Sequence, residues 1–287
     1  MASFKEQWLE AVERKNSVLC VGLDPADFEM DRPGESLREG ENKLIWALRL
    51  VERIAPYCAA IKPNTQYWKG PLDRLYLAEV VKLAKSLGLV VIEDAKLADI
   101  GDTNESGVYH AAQLGAKAVT LAPYAGNMKP AAEQGRKWGV GGITMCLMSN
   151  PEYEREKNKL VAVDGEDAEY GEDVIWIEGG PFVRQFVQLA HDAAKHGIEG
   201  LVIGAPSSKN HIKDEEIALA RKYGAGRLVL LPGVGKQGGE AGAIWKHFGL
   251  DEVIVNVGRA VMFAEGGDSA AAAKHYQGML NELRQET

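Results

Sequence analysis

Cysteine is scarce in this sequence: Cys20, Cys58 and Cys146 are the only three in 287 residues. Their odd number and scattered spacing exclude a full disulfide framework and a zinc pattern. Each lies in or beside an apolar run, so each is expected to be a small buried hydrophobe in a reducing, cytoplasmic setting. Positive charge is in deficit: 33 Lys and Arg face 41 Asp and Glu, for a net charge of -8. That balance argues against non-specific nucleic-acid binding, which needs a basic surface, but not against a small anionic substrate held in a local field. No apolar run approaches the roughly 18 residues that suggest a membrane span. Residues 1–15 place Phe4, Trp8 and Val12 at helical spacing among charges, which is an amphipathic helix rather than a signal peptide. The six histidines show no metal-ligand spacing, and neither a Gly-x-Gly-x-x-Gly fingerprint after the first strand nor a Gly-Lys-Ser/Thr phosphate loop occurs.

What is present is alternation. Apolar, β-branched runs at residues 17–24, 57–62, 89–96, 118–122, 142–148, 200–204, 227–232 and 252–257 interleave with amphipathic segments such as 44–54, 75–86 and 182–195. Strands alternating with helices imply βαβ units and a parallel sheet, and eight units in this length favour a closed (β/α)8 barrel over an open sheet. One domain over 1–287 is expected. A polar loop at 31–41 and an acidic insertion at about 150–181 embellish it; within the insertion, 160–163 and 174–177 are expected to pair as a hairpin.

Barrels of this kind carry function at the C-terminal ends of their strands. Here those ends carry charge: Asp24 after the first strand, Lys62 after the second, Asp94 and Lys96 after the third, Ser149 beyond the fifth and Arg259 beyond the eighth. Strand alternation puts Asp94 and Lys96 on one face. A structural ion pair at the rim is the plain alternative, but Lys62 on the neighbouring strand makes a cluster better suited to setting protonation states. Asp99 falls in the following loop, with Asp102 or Thr103 as possible helix N-caps. At the other end, Pro232-Gly-Val-Gly-Lys-Gln237-Gly-Gly follows the seventh strand, and Gly258-Arg259 opens a helical pattern after the eighth. Both suit a phosphate, by backbone N–H groups and by a helix N-terminus.

Together, Asp94-x-Lys96-x-x-Asp99, Asp24-Pro25, Lys62, the Pro232 to Gly239 run and Gly258-Arg259 resemble the orotidine 5′-phosphate decarboxylase family, in its longer bacterial subgroup (type 2). The resemblance implies decarboxylation of orotidine 5′-phosphate to UMP without metal or cofactor, in a homodimer. Carried over, it places Asp94 beside the substrate carboxylate, Lys96 as proton donor to C6 and Lys62 on Asp94 and the ribose. It puts Asp24 on ribose hydroxyls, Ser149 and Pro232 at the base, and Gln237, Gly258 and Arg259 at the phosphate. Asp99 and Thr103 would cross a dimer interface. Two rivals remain: a metal-dependent sugar-phosphate lyase of the same superfamily, and a non-catalytic nucleotide-binding barrel. In the sugar-phosphate relatives an acidic residue ends the second strand; Lys62 stands there in this chain, which argues against a metal. Lys236 is a departure from the family pattern and is expected to face solvent.

Overall fold

The computed structural model describes residues 2–32, 34–163, 170–234 and 240–286. Its strands are β1 (Leu19–Leu23), β2 (Ala60–Pro63), β3 (Val90–Leu97), β4 (Ala118–Leu121), β5 (Gly141–Leu147), β6 (Leu160–Ala162), β7 (Ile175–Ile177), β8 (Gly180–Arg184), β9 (Gly200–Ile203), β10 (Leu228–Pro232) and β11 (Val253–Val257). Its α-helices are α1 (Phe4–Lys15), α2 (Lys43–Ile54), α3 (Asp73–Ser86), α4 (Gly101–Leu114), α5 (Met128–Trp138), α6 (Tyr153–Lys157), α7 (Gln185–His196), α8 (Asp214–Tyr223), α9 (Arg259–Met262) and α10 (Ser269–Gln285). Strands β1 to β5 and β9 to β11 close into a parallel barrel in the order β1-β11-β10-β9-β5-β4-β3-β2. Every expected barrel strand is present, displaced by a few residues at its ends.

Barrel strands are covered on both faces, which is why they read as continuous apolar runs rather than alternating ones. All five residues of β1 are buried, as are all four of β2, including Lys62. Helix α1 closes the N-terminal end. Ser3 and Glu6 form its capping box. Trp8 is fully buried and donates its indole N–H to the Asp251 carbonyl at 2.7 Å. Phe4 lies so close to Gly141 that a Cβ there would come within 2.5 Å of the Phe4 Cβ. Burying a side chain such as Phe4 contributes roughly 1.5–3 kcal/mol. With that end plugged, the C-terminal mouth is the open face.

Three expectations need correction. Residues 160–163 and 174–177 do not pair with each other: β6 and β7 both pair antiparallel with β8, which lies between them. The insertion therefore runs through Arg184, and the helix expected from 182 starts at Gln185, because Phe182 to Arg184 are committed to that sheet. Neither Asp102 nor Thr103 is an N-cap; Ile100 holds that position without a side-chain bond, and both residues lie within the first turn of α4. Among the described residues, no helix is long and apolar enough to cross a membrane.

Candidate active site

The C-terminal ends of β2, β3 and β4 converge on one carboxylate. Asp94 and Lys62 are both buried. The Lys62 ammonium donates to Asp94 Oδ2 in a short contact. Asp94 Oδ1 accepts from Lys96 Nζ at 2.7 Å and from the Thr120 hydroxyl at 2.8 Å. The same Thr120 oxygen accepts the Lys96 backbone N–H at 2.9 Å, so one hydroxyl ties the backbone of Lys96 to the side chain of Asp94.

Simple alternation along β3 is not what brings these groups together. The register of β3 on β4 shifts between Glu93 and Leu97, and Lys96 takes a left-handed backbone with φ 49°. A non-glycine residue there costs on the order of 1–3 kcal/mol and is held only where its surroundings require it; such strain collects at functional sites. The bulge turns the Lys96 side chain up into the mouth, where it is 40% exposed while still paired with Asp94.

The electrostatics follow from burial and proximity. Burial alone would raise the Asp94 carboxyl, but the Lys62 and Lys96 ammonium groups outweigh it and hold Asp94 far below the usual carboxylate range. Burial works against a charged Lys62, yet Asp94 and Asp24 outweigh that and raise it above an ordinary lysine. Asp94 is thus a fixed anion and Lys62 a fixed cation. Asp24 is different: burial raises its carboxyl against the pull of Lys62. Its Oδ1 is buried and has no hydrogen-bond partner among the described residues. An orphaned carboxylate oxygen in a mouth is an acceptor waiting for hydroxyl donors.

The other end of the mouth is built by β1, β10 and β11. Gly22 and Gly258 approach so closely that a Cβ on Gly22 would lie 3.3 Å from the Gly258 Cα, which keeps Asp24 beside the start of α9. Arg259 opens α9, and its Nη1 donates to Glu35 Oε1 at 2.5 Å. Asp24, Ala26, Arg32, Glu35, Tyr67 and Arg259 line a cavity of about 300 Å³. Pro232 ends β10 opposite Asn256 of β11. Ser149 is half-buried past β5, and it fits only because residue 204 is glycine: a Cβ there would lie 2.7 Å from the Ser149 Cβ. Gln237 and Lys236 lie outside the described residues.

Asp99 and Thr103 stand apart. Both are exposed, and among the described residues Asp99 Oδ1 accepts only the neighbouring Ile100 N–H, at 2.8 Å. Among the described residues no bond links either side chain to Lys62, Asp94 or Lys96. Thr120 and Glu35 were not singled out in the sequence. Thr120 sits in an ordinary strand run and Glu35 in a polar loop, and neither carries a local signal.

Residues 17–175 match the family described as Orotidine 5′-phosphate decarboxylase / HUMPS family. The chain belongs to that family. A protein of Variovorax paradoxus (strain S110) named Orotidine 5′-phosphate decarboxylase is 31% identical over 278 residues, spanning 94% of this chain and 93% of the relative. One of the same name from Polaromonas naphthalenivorans (strain CJ2) is 32% identical over 277 residues, 92% of this chain and 89% of the relative. In fold, the solved structure of Leishmania donovani OMP decarboxylase superposes with a TM-score of 0.73 at 23% identity, covering 99% of both chains. Within this family's barrel, both Asp94 oxygens already face ammonium groups. Among the described residues no group of three or more His, Cys, Asp or Glu side chains is placed to hold a metal ion.

Proposed function

We propose that the Lys62–Asp94–Lys96 cluster is the reacting centre of this chain's decarboxylase activity. The reaction is the family's: orotidine 5′-phosphate loses CO2 and becomes UMP, the UMP-forming step of pyrimidine biosynthesis. The bond from C6 to the carboxyl carbon breaks, its electron pair stays on C6, and a proton must be delivered there. Lys96 is the donor. Its side chain is 40% exposed, so solvent can recharge the ammonium after each turnover. The single observation that carries this assignment is the Lys96 ammonium fixed 2.7 Å from Asp94. A cation preplaced where negative charge develops needs no reorganisation during the reaction, and acts strongly in a site that excludes water. Asp94 stands where the departing carboxylate would lie and stays ionised; Lys62 holds it.

The remaining roles rest on position for Asp24, Ser149, Pro232, Gly258 and Arg259, and on the family resemblance for Gln237, Asp99 and Thr103. Asp24 accepts ribose hydroxyls through its orphaned oxygen. Ser149 and Pro232 border the base, while Arg259, Gly258 and Gln237 hold the phosphate. Asp99 and Thr103 serve the partner's site in a homodimer. Supporting this, the rim around them is apolar and uncovered: Ile100 is 62% exposed, and Leu72 and Leu75 at the start of the adjacent α3 are 52% and 66% exposed. The free, buried cysteines fit a reducing, cytoplasmic setting.

The test is the loss of orotidine 5′-phosphate absorbance, followed with a chelator present and with Lys96→Ala. Turnover that survives the chelator and collapses in the variant is expected. Activity abolished by chelation would instead favour a metal-dependent lyase.

A further inference from the structure

A second cavity, of about 810 Å³, lies on the flank of the barrel between the 34–42 loop, α2 and the segment from Met262 to Ser269. It falls within the ~300–1,000 Å³ range of small-molecule sites. Its charge is opposite to that of the protein. Arg38, Arg49 and Arg53 line it against a single carboxylate, Glu41, in a chain whose net charge is -8. None of the three guanidinium groups forms an ion pair among the described residues. Arg49 and Arg53 are spaced i,i+4 on one face of α2, where like charges destabilise a helix. The last turn of α2 favours Arg53 through the helix dipole, but among the described residues no carboxylate pairs with either guanidinium, and an anion bound between them would relieve the repulsion.

An aromatic wall adjoins the arginines, since Trp46 lies on the same face of α2. Trp46 stacks on Phe263 with centroids 5.7 Å apart and planes 23° from parallel. The indole N–H of Trp46 has no hydrogen-bond partner among the described residues, so the wall also offers a free donor. Gly266 and Gly267 leave the floor open, since a Cβ on either would meet nothing within 4 Å. The N-terminus of α10 is already occupied by the Asp268 carboxylate, which accepts the Ala271 N–H at 3.0 Å. The guanidinium groups, and not the helix end, would therefore take the anion.

We propose that this cavity is a second ligand site, separate from the barrel mouth, for a nucleoside phosphate: phosphate groups on Arg49 and Arg53, with the base against Trp46. Arginine clusters suit phosphate through planar, bidentate donation, and indole faces suit planar rings. The site does not depend on how the residues of the mouth are assigned.

Equilibrium dialysis with ADP tests it, on the wild type, on Arg49→Ala/Arg53→Ala and on Arg259→Ala, with adenosine and pyrophosphate as reference probes. Saturable binding of one ADP per chain is expected. It should weaken at least tenfold in Arg49→Ala/Arg53→Ala and persist in Arg259→Ala. Both substituted α2 arginines are exposed, so that variant should melt and decarboxylate as the wild type does. Four results would each overturn the proposal: no saturable binding, equal binding by the α2 variant, loss of binding in Arg259→Ala, or adenosine or pyrophosphate binding as tightly as ADP.

Discussion

Arg259, the arginine proposed for the substrate phosphate, donates from Nη1 to Glu35 Oε1 at 2.5 Å. A carboxylate in that position engages one of the donors that a phosphate would use, so a bound phosphate would compete with it. The pair is partly exposed, with the two side chains 38% and 29% accessible. Pairs of that kind contribute about 0–1 kcal/mol, which corresponds to a change of up to about fivefold in affinity. Glu35→Gln should therefore lower KM for orotidine 5′-phosphate by about two- to fivefold, with little change in kcat. Arg259→Ala should raise KM strongly. In the double variant the benefit of Glu35→Gln should vanish, and steady-state kinetics on the four proteins would show whether it does.

Lys96→Ala should cost at least about a thousandfold in kcat, since it removes both the proposed proton donor and the cation proposed to face the developing charge. Binding of UMP should weaken far less, because the phosphate and ribose contacts remain. Turnover within tenfold of wild type would remove Lys96 from the mechanism.

The two lysines on Asp94 should differ in what they do for stability. Lys62 and Asp94 are both buried, and removing one partner of such a pair strands the other charge, at a cost of about 3–5 kcal/mol. Lys96 and Thr120 still contact Asp94, so Lys62→Met should fall near the lower end, about 3 kcal/mol by urea denaturation. Lys96 is 40% exposed, and Lys96→Ala should cost under about 1 kcal/mol. Equal losses from both would contradict the burial seen here.

The eight strands and the charges at their ends were legible because burial on both faces writes long apolar runs, and because a charge that closes such a run is conspicuous. The convergence of Lys62, Asp94 and Lys96 was legible for the same reason, although the geometry behind it was not: the φ of 49° at Lys96 and the Thr120 hydroxyl that secures it arise from a bulge between two strands, and pairing across strands leaves no mark in either run. The order β6-β8-β7 escaped for a related reason, since two short apolar segments do not reveal that a third one lies between them. Glu35 escaped because its partner is 224 residues away.

Acid should act on Asp94 and Asp24 in opposite senses. Asp94 is held below its unfolded value, so its contribution to stability is complete above about pH 4 and is lost as pH falls through the folded pKa. Asp24 is raised, mainly by burial, so its contribution is complete below the unfolded value and is lost as pH rises through the folded one. The stability of the wild type relative to Asp24→Asn should therefore decline as pH rises from about 3 past 4. Urea midpoints measured across that range would reveal the slope, and a difference that is flat or grows with pH would mean that the Asp24 carboxyl is not disfavoured as an anion.

Asp99 and Thr103 leave a question that only two chains can answer. In one chain Asp99 is exposed and, among the described residues, accepts nothing but the Ile100 N–H, while the rim beside it presents Ile100 to solvent. If Asp99 completes the partner's site, Lys96→Ala and Asp99→Ala homodimers are both impaired, yet a mixed dimer holds one site with Lys96 from one chain and Asp99 from the other. Random reassembly of equal amounts makes half the dimers mixed, so about a quarter of wild-type sites should reappear, as the two-fold arrangement of a homodimer requires. Co-refolding the two variants and assaying decarboxylation measures this directly. Activity no higher than the average of the separate variants would mean that Asp99 works within its own chain or not at all.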